Sequence, residues 1–209
     1  MVEQSRLSQA FEFADGLHKA QFRKQADGEP ESLRIPYMTH LAEVMAIVMQ
    51  GHGDEDQQIA GLLHDAIEDQ PMTPDEEDTA EVIKRLFGER VLSLVLACTD
   101  GEPGQERSEE SWQNRKEAHI AHMRELAKTD PDFLVVSISD KLSNSLVIVN
   151  DVLNHGNGVW KRFNATTDQI SWYYGEMLAV FIENLGDEHH LVKRLKRQVS
   201  QLQQLAASV

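Results

Sequence analysis

The apolar positions Leu7, Ala10, Phe11, Ala14 and Leu17 recur at intervals of three and four. That spacing turns one face toward a core and predicts a helix from Leu7 to about Arg23. KQADGEPESLRIP, from Lys24 to Pro36, is polar, with one Gly and two Pro, and reads as a loop. THLAEVMAIVMQGHG predicts a helix with Thr39 as N-cap and Gly51 as its stop. The next segment, Asp54 to Pro71, is bounded at both ends: Asp54 caps, Gln57 completes a capping box, and Pro71 closes. Thr73 to Gly88 repeats the plan, with Thr73 and Pro74 at its start.

RVLSLVLACTD, from Arg90, is a buried helix or a strand, which periodicity does not separate. GEPGQERSEES, from Gly101, is a Glu-rich loop, and Trp112–Thr129 is a helix. The β-branched residues of Asp132–Leu153 suggest a strand, but its length favours a helix. Trp160–Gly186 and His189–Ala207 give two more. No internal repeat or linker interrupts the pattern, so the expectation is one all-α domain over residues 1–209.

The segment from Asp54 to Pro71 raises a chemical question. On a helical wheel Ile59, Leu62, Leu63, Ala66 and Ile67 form one apolar stripe of about 140°. His64, Asp65 and Glu68 lie opposite, with His64 and Glu68 one turn apart. A solvated polar face accounts for this, and so does a metal site. An earlier His40 and a later Asp140 complete a set of four ligands. Imidazole nitrogen with carboxylate oxygen suits Mn, Fe, Zn or Mg, and Co or Ni fit the same donors.

Composition narrows the function. The chain has 209 residues, 41% hydrophobic and 26% charged, enough for one domain with a sizeable core. Its formal charge of −15 argues against binding duplex nucleic acid. A phosphate-bearing partner then needs local cations or a metal. No apolar run approaches the roughly 20 residues of a membrane span, and the N-terminus lacks a signal pattern. Cys98, the single cysteine, excludes an intrachain disulfide, lies in an apolar stretch as buried filler, and fits a reducing cytoplasm. A homo-oligomer is compatible with these numbers.

The order H…HD…D, carried by His40, His64–Asp65 and Asp140, resembles the HD metal-dependent phosphohydrolase superfamily. HKAQFRK from His18, PYMTHLAEV from Pro36, GLLHDAIEDQPMT from Gly61, LFGERVLSLVLACTD from Leu86, NRKEAHI from Asn114 and ISDKLSN from Ile138 are similar to the hydrolase domain of the RelA/SpoT family and to small alarmone hydrolases. They cover about residues 7–150, with extra C-terminal helices over 151–209.

The resemblance implies an all-helical fold, which settles the segments around Val95 and Val135 as helix. It implies that His40, His64, Asp65 and Asp140 hold one divalent ion, typically Mn. It implies that Glu68 and Asp69 orient water and move its proton, Glu68 first, with Asp69 alternatively bonding behind a ligand. It also gives Arg23, Lys24, Arg115, Lys116 and Asn144 to the substrate, a phosphorylated nucleotide or other small phosphate.

The chain departs from the family in two places. The connection at 25–35 is longer. After Asp140 the family usually carries a His ahead of an Arg-Thr pair, where this chain has Ser143, Leu146 and Val147, which implies a more apolar nucleoside pocket. The stretch past Asn150 is too short for the family's synthetase half. Its Trp172, Tyr173 and Tyr174 either pack on the core or lean over the cleft with Lys161 and Arg162. His119 and His122 read as helix surface, His189 and His190 as solvent-facing, and His52 as a turn residue.

The expected activity is hydrolysis of a nucleotide phosphoester or pyrophosphate, with a (p)ppGpp-like 3′-pyrophosphate as one substrate. The alternatives are another nucleotide (a monophosphate, dinucleotide or cyclic nucleotide) and a non-catalytic nucleotide sensor.

Overall fold

The computed structural model describes residues 4–24, 34–99 and 109–209, with side chains from Trp112 onward in the last stretch. The 25–35 connection thus lies mostly outside the described residues, as does most of the Glu-rich loop. The helices are α1 (Arg6–His18), α2 (Met38–Gln50), α3 (Glu55–Leu63), α4 (Ala66–Asp69), α5 (Thr79–Phe87), α6 (Glu89–Cys98), α7 (Glu109–Leu126), α8 (Leu134–His155), α9 (Thr167–Leu185) and α10 (His190–Ala206). Short 3₁₀ turns occupy Pro131–Phe133 and Asn157–Arg162. Extended pairing among the described residues is limited to the bridges Phe22–Pro36 and Met72–Asp78. The fold is all-α, as expected, and both ambiguous segments are helices.

α8 runs through the centre and packs against α2, α3, α9 and α10. Its β-branched residues fit a helix because Leu134, Val136, Ile138, Leu142, Ile148, Val149 and Val152 are all buried by neighbours. Among its buried serines, Ser139 donates to the Val135 carbonyl and Ser145 to that of Leu142. Ser143 instead reaches across to α2.

Local chemistry sets the helix ends. Asp54 and Gln57 form the expected capping box on α3, and Thr166 with Gln169 forms another on α9. Several boundaries differ from the sequence reading. α9 begins at Thr167 rather than Trp160, because Thr166 caps it and Trp160 to Arg162 belong to a 3₁₀ turn. α1 stops at His18, because the chain then turns and the amides of Arg23 and Tyr37 donate across to Ile35 and Gln21. Thr39 does not cap α2, since Tyr37 holds that position without a side-chain bond. Thr73 does not start α5. Its hydroxyl accepts from the Glu77 amide in a turn with Glu76 at φ 63°, and Asp78 caps the helix.

A further difference concerns the segment that raised the question. The predicted single helix breaks into α3 and α4 at His64–Asp65, with Asp65 at φ −97°, ψ −2°, the bridge region common at functional sites.

Gly61 lets α3 lie close on α2. A methyl group there would meet the Met45 Cα and the Val48 Cγ2 at 3.2 Å. At the N-terminal end of α3 Arg6 binds Glu55, Asp56 and the Phe87 carbonyl, while Arg90 binds Asp54, Asp56 and Asp132. Among the described residues no helix is long and apolar enough to cross a membrane.

Candidate metal centre

Three separate elements converge. The first turn of α2 carries His40, the α3–α4 break carries His64 and Asp65, and the second turn of α8 carries Asp140. His64 Nε2 lies 3.0 Å from Asp65 Oδ2 and 3.6 Å from Asp140 Oδ1. His40 Nε2 lies 3.6 Å from Asp65 Oδ2 and 3.3 Å from Asp140 Oδ1. Ligand atoms of His40, His64 and Asp65 all fall within 4.8 Å of one another. Both imidazoles are buried.

Hydrogen bonds at the far ring atoms fix the tautomers. His64 Nδ1 faces the Gly61 carbonyl at 3.0 Å. A carbonyl only accepts, so Nδ1 carries the proton. His40 Nδ1 faces Ser143 Oγ at 2.9 Å, and that hydroxyl donates to Glu43 Oε2 at 2.6 Å. With the hydroxyl proton committed to Glu43, His40 Nδ1 must donate. Both Nε2 atoms therefore turn toward the carboxylates. His64 Nε2 is buried and makes no hydrogen bond.

Lone pairs aimed at carboxylates need a cation between them, either a proton or a metal. Burial works against charge on both rings. At His40 it prevails and the pKa falls below its ordinary value. At His64 the Asp65 and Asp140 carboxylates outweigh it, and the pKa rises well above that value. Burial raises both carboxylates, yet the imidazoles hold Asp65 below its usual range, and Lys141 with the imidazoles holds Asp140 well below. Two imidazole nitrogens and two carboxylates with one orphaned buried donor fit a divalent cation.

Each carboxylate has an outer partner. Tyr37 donates to Asp65 Oδ2 at 2.6 Å. Asp140 accepts from Asn144 on Oδ1 and pairs with Lys141 Nζ on Oδ2 at 2.6 Å. Sequence reading missed Tyr37, Glu43, Ser143 and Lys141 as supports. Tyr37 and Glu43 each stand three residues from His40, as Ser143 does from Asp140, the spacing that brings helical neighbours together.

The other expected site residues divide. Asp69 accepts from Gln21, which is bonded in turn to His18. It thereby ties α4 to the turn after α1 rather than bonding behind one of the four ligand candidates. Glu68 sits half-buried on α4, beside the break. Arg23 donates to Asn144 at 3.1 Å, which links the first basic pair to α8. Lys24 is exposed. On α7, Arg115 has its Nε buried without a hydrogen bond, and Lys116 lies over the Tyr173 ring at 4.7 Å. Lys141 approaches the same ring at 5.8 Å.

The aromatic cluster thus packs and borders the site at once. Tyr173 and Tyr174 are buried, and the Tyr174 phenol is pushed up by burial and by Asp140.

Several expectations are corrected. His119 is buried against Tyr173 rather than on the helix surface, while His122 is exposed. His189 is half-buried and stacked on His190, which is exposed as expected and whose Nε2 reaches the Gln50 carbonyl. Arg162 pairs with Asp151. Cys98 is only half-buried, though desolvation still raises its thiol. Leu146 does not extend the face that carries Asn144, since the two lie about 200° apart on α8. It lines a cavity of about 200 Å³ with Glu43, Ala46, Ile47, Arg194 and Arg197.

A family model described as HD domain matches residues 10–168. This chain belongs to the HD domain family. Curated relatives of this HD domain include a guanosine-3′,5′-bis(diphosphate) 3′-pyrophosphohydrolase of Aquifex aeolicus strain VF5, 31% identical over 138 residues, covering 66% of this chain and 17% of that protein. The bifunctional (p)ppGpp synthase/hydrolase SpoT of Escherichia coli K12 is 28% identical over 142 residues, covering 66% and 17%. The chain thus spans about a sixth of the length of these relatives.

Among solved structures, that of a metazoan ortholog of SpoT that hydrolyzes ppGpp superposes with a TM-score of 0.65 at 24% identity, covering 96% of this chain and 97% of that one. A protein of Listeria monocytogenes EGD-e gives 0.65 and 24%, covering 79% and 99%. At this identity the structural likeness speaks for the fold.

Proposed function

We propose that this HD domain is a metal-dependent phosphohydrolase of nucleotides, with the 3′-pyrophosphate of a guanosine alarmone as its leading substrate. The observation that carries the reading is the convergence of His40, His64, Asp65 and Asp140 with both Nε2 lone pairs turned inward. The names of the curated relatives point to the substrate. These four residues would hold one divalent ion, Mn first among the candidates, which would supply Lewis-acid polarisation of a phosphoryl oxygen and acidify water.

The chain's own groups do the rest. Lys141 neutralises Asp140 Oδ2, which leaves Oδ1 facing the imidazoles. Glu68 accepts a proton from the attacking water at a carboxylate oxygen, and Asp69 holds α4 in place through Gln21. Arg23, Lys24, Arg115 and Lys116 supply the positive charge that lets a chain of net charge −15 accept a polyphosphate. Asn144, already bonded to Arg23, faces the sugar. Residues 151–209 complete the same unit, since α9 and α10 pack on α8.

The test is a substrate panel on protein stripped with chelator and reloaded with Mn: guanosine and adenosine 3′-pyrophosphates, simple monophosphates, dinucleotides and cyclic nucleotides. Pyrophosphate release from the guanosine 3′-pyrophosphates, abolished in His64→Ala, is expected. Turnover of a different nucleotide class would reassign the substrate. Turnover that survives His64→Ala, or ligand-induced stabilisation without turnover, would sink the enzymatic reading.

A further inference from the structure

Ser143 behaves differently from its neighbours on α8. Ser139 and Ser145 return their hydroxyls to carbonyls of their own helix. Ser143 is fully buried, yet it accepts from His40 Nδ1 at 2.9 Å and donates to Glu43 Oε2 at 2.6 Å. Glu43 is half-buried and borders the cavity between α2, α8 and α10. The three groups form a continuous line from that cavity, through α8, to the inward-facing Nε2 of His40.

We propose that Glu43, acting through Ser143, is a positioning residue for His40, fixing its Nδ1–H tautomer and strengthening Nε2 as a donor to the cation. The inference rests on the metal reading above. The physical logic is directional. A carboxylate can only accept, so it orients the hydroxyl, and the oriented hydroxyl offers only lone pairs to the imidazole. A hydroxyl alone would be free to donate to Nδ1 instead. That would place the ring proton on Nε2, where it excludes an ion. Outer partners of ligating histidines typically contribute 10–100-fold to metal affinity.

The test measures Mn²⁺ affinity by calorimetry on chelator-stripped wild type, Glu43→Gln, Ser143→Ala, Ser143→Thr and His64→Ala, with urea unfolding of each metal-free protein alongside. Glu43→Gln and Ser143→Ala should bind roughly 10–100-fold more weakly. Ser143→Thr, which keeps the hydroxyl, should stay near wild type, and His64→Ala should not bind. Glu43→Gln keeps the side-chain volume, so a loss of affinity at unchanged metal-free stability separates positioning from folding. Wild-type affinity in both Glu43→Gln and Ser143→Ala, with binding lost in His64→Ala, would overturn the relay and leave the metal reading intact. A wild type that takes up no Mn²⁺ would overturn both.

Discussion

Replacing Gly61 by alanine tests how the ligands are brought together. The added methyl would lie 3.2 Å from the Met45 Cα, 3.2 Å from the Val48 Cγ2 and 3.4 Å from the Met45 amide nitrogen. Two of these are backbone atoms of α2 and have no rotamer to yield, so the helices must part by a few tenths of an ångström. Alanine is favoured over glycine within a helix by about 1 kcal/mol. Overpacking of a tight contact costs about 1–3 kcal/mol.

The balance is a destabilisation between nothing and about 2 kcal/mol. Gly16→Ala is the control. Among the described residues no atom outside its own stretch of helix lies within 4 Å of its added methyl, so the helical preference acts unopposed and stability should rise by about 0.5–1 kcal/mol. Gly61 also accepts from His64 Nδ1, and α2 carries His40, whose ring centroid is 5.2 Å from that of His64. Parting α3 from α2 should therefore weaken Mn²⁺ binding beyond what the loss of stability implies. Urea unfolding with an ion titration reads both. If Gly61→Ala gains stability as Gly16→Ala does and binds Mn²⁺ as wild type, close approach is not what aligns the two imidazoles.

Adding Mn²⁺ about 100-fold above its dissociation constant should stabilise the stripped chain by about 2.7 kcal/mol, roughly 5–10 °C in Tm at this length. No shift in the wild type, or an equal shift in His64→Ala, would contradict the site. Because the carboxylates raise His64 well above its ordinary value, it is protonated near neutral pH without an ion, and binding should expel about one proton. Affinity then climbs with pH until that raised value is passed. Calorimetry in buffers of different ionisation enthalpy reads the proton, and none released would mean a neutral His64.

Arg90→Ala should cost roughly 1 kcal/mol at neutral pH, since two of its three partners, Asp54 and Asp132, are about half exposed. Arg90 holds Asp54 below its usual carboxylate range, so that contribution is complete above the ordinary value near 4 and fades as pH falls through the depressed one. A gap between wild type and variant that stays constant into strong acid would argue against the pairing.

The fold was legible wherever a local signal and the tertiary packing agreed. Asp54 with Gln57 announced α3, and Gly51 announced the end of α2. The ambiguous α8 needed either the family likeness or its length. Its β-branched residues say strand in isolation, and only burial among several helices makes them helical. The break at His64–Asp65 left no mark, because no Gly or Pro stands at it.

The four metal-ligand candidates could be named from order and residue type, although their convergence depends on packing between segments a hundred residues apart. The supports were harder to see. Ser143 and Tyr37 are ordinary residues whose roles depend on what the neighbouring helix presents. His119 was misread for the same reason. An H-x-x-H pair on a polar helix suggests solvent, and only the position of Tyr173 shows that half of it is covered.

The donors stand on α2, on the α3–α4 junction and on α8, so no fragment of the chain carries the full set. A cation gripped there would gauge the whole bundle. Interiors this dense respond to a single misplaced methylene, and coordination tolerates far less drift than backbone hydrogen bonding does. Core variants that swell the bundle slightly should therefore lose ion occupancy while their circular dichroism still looks native.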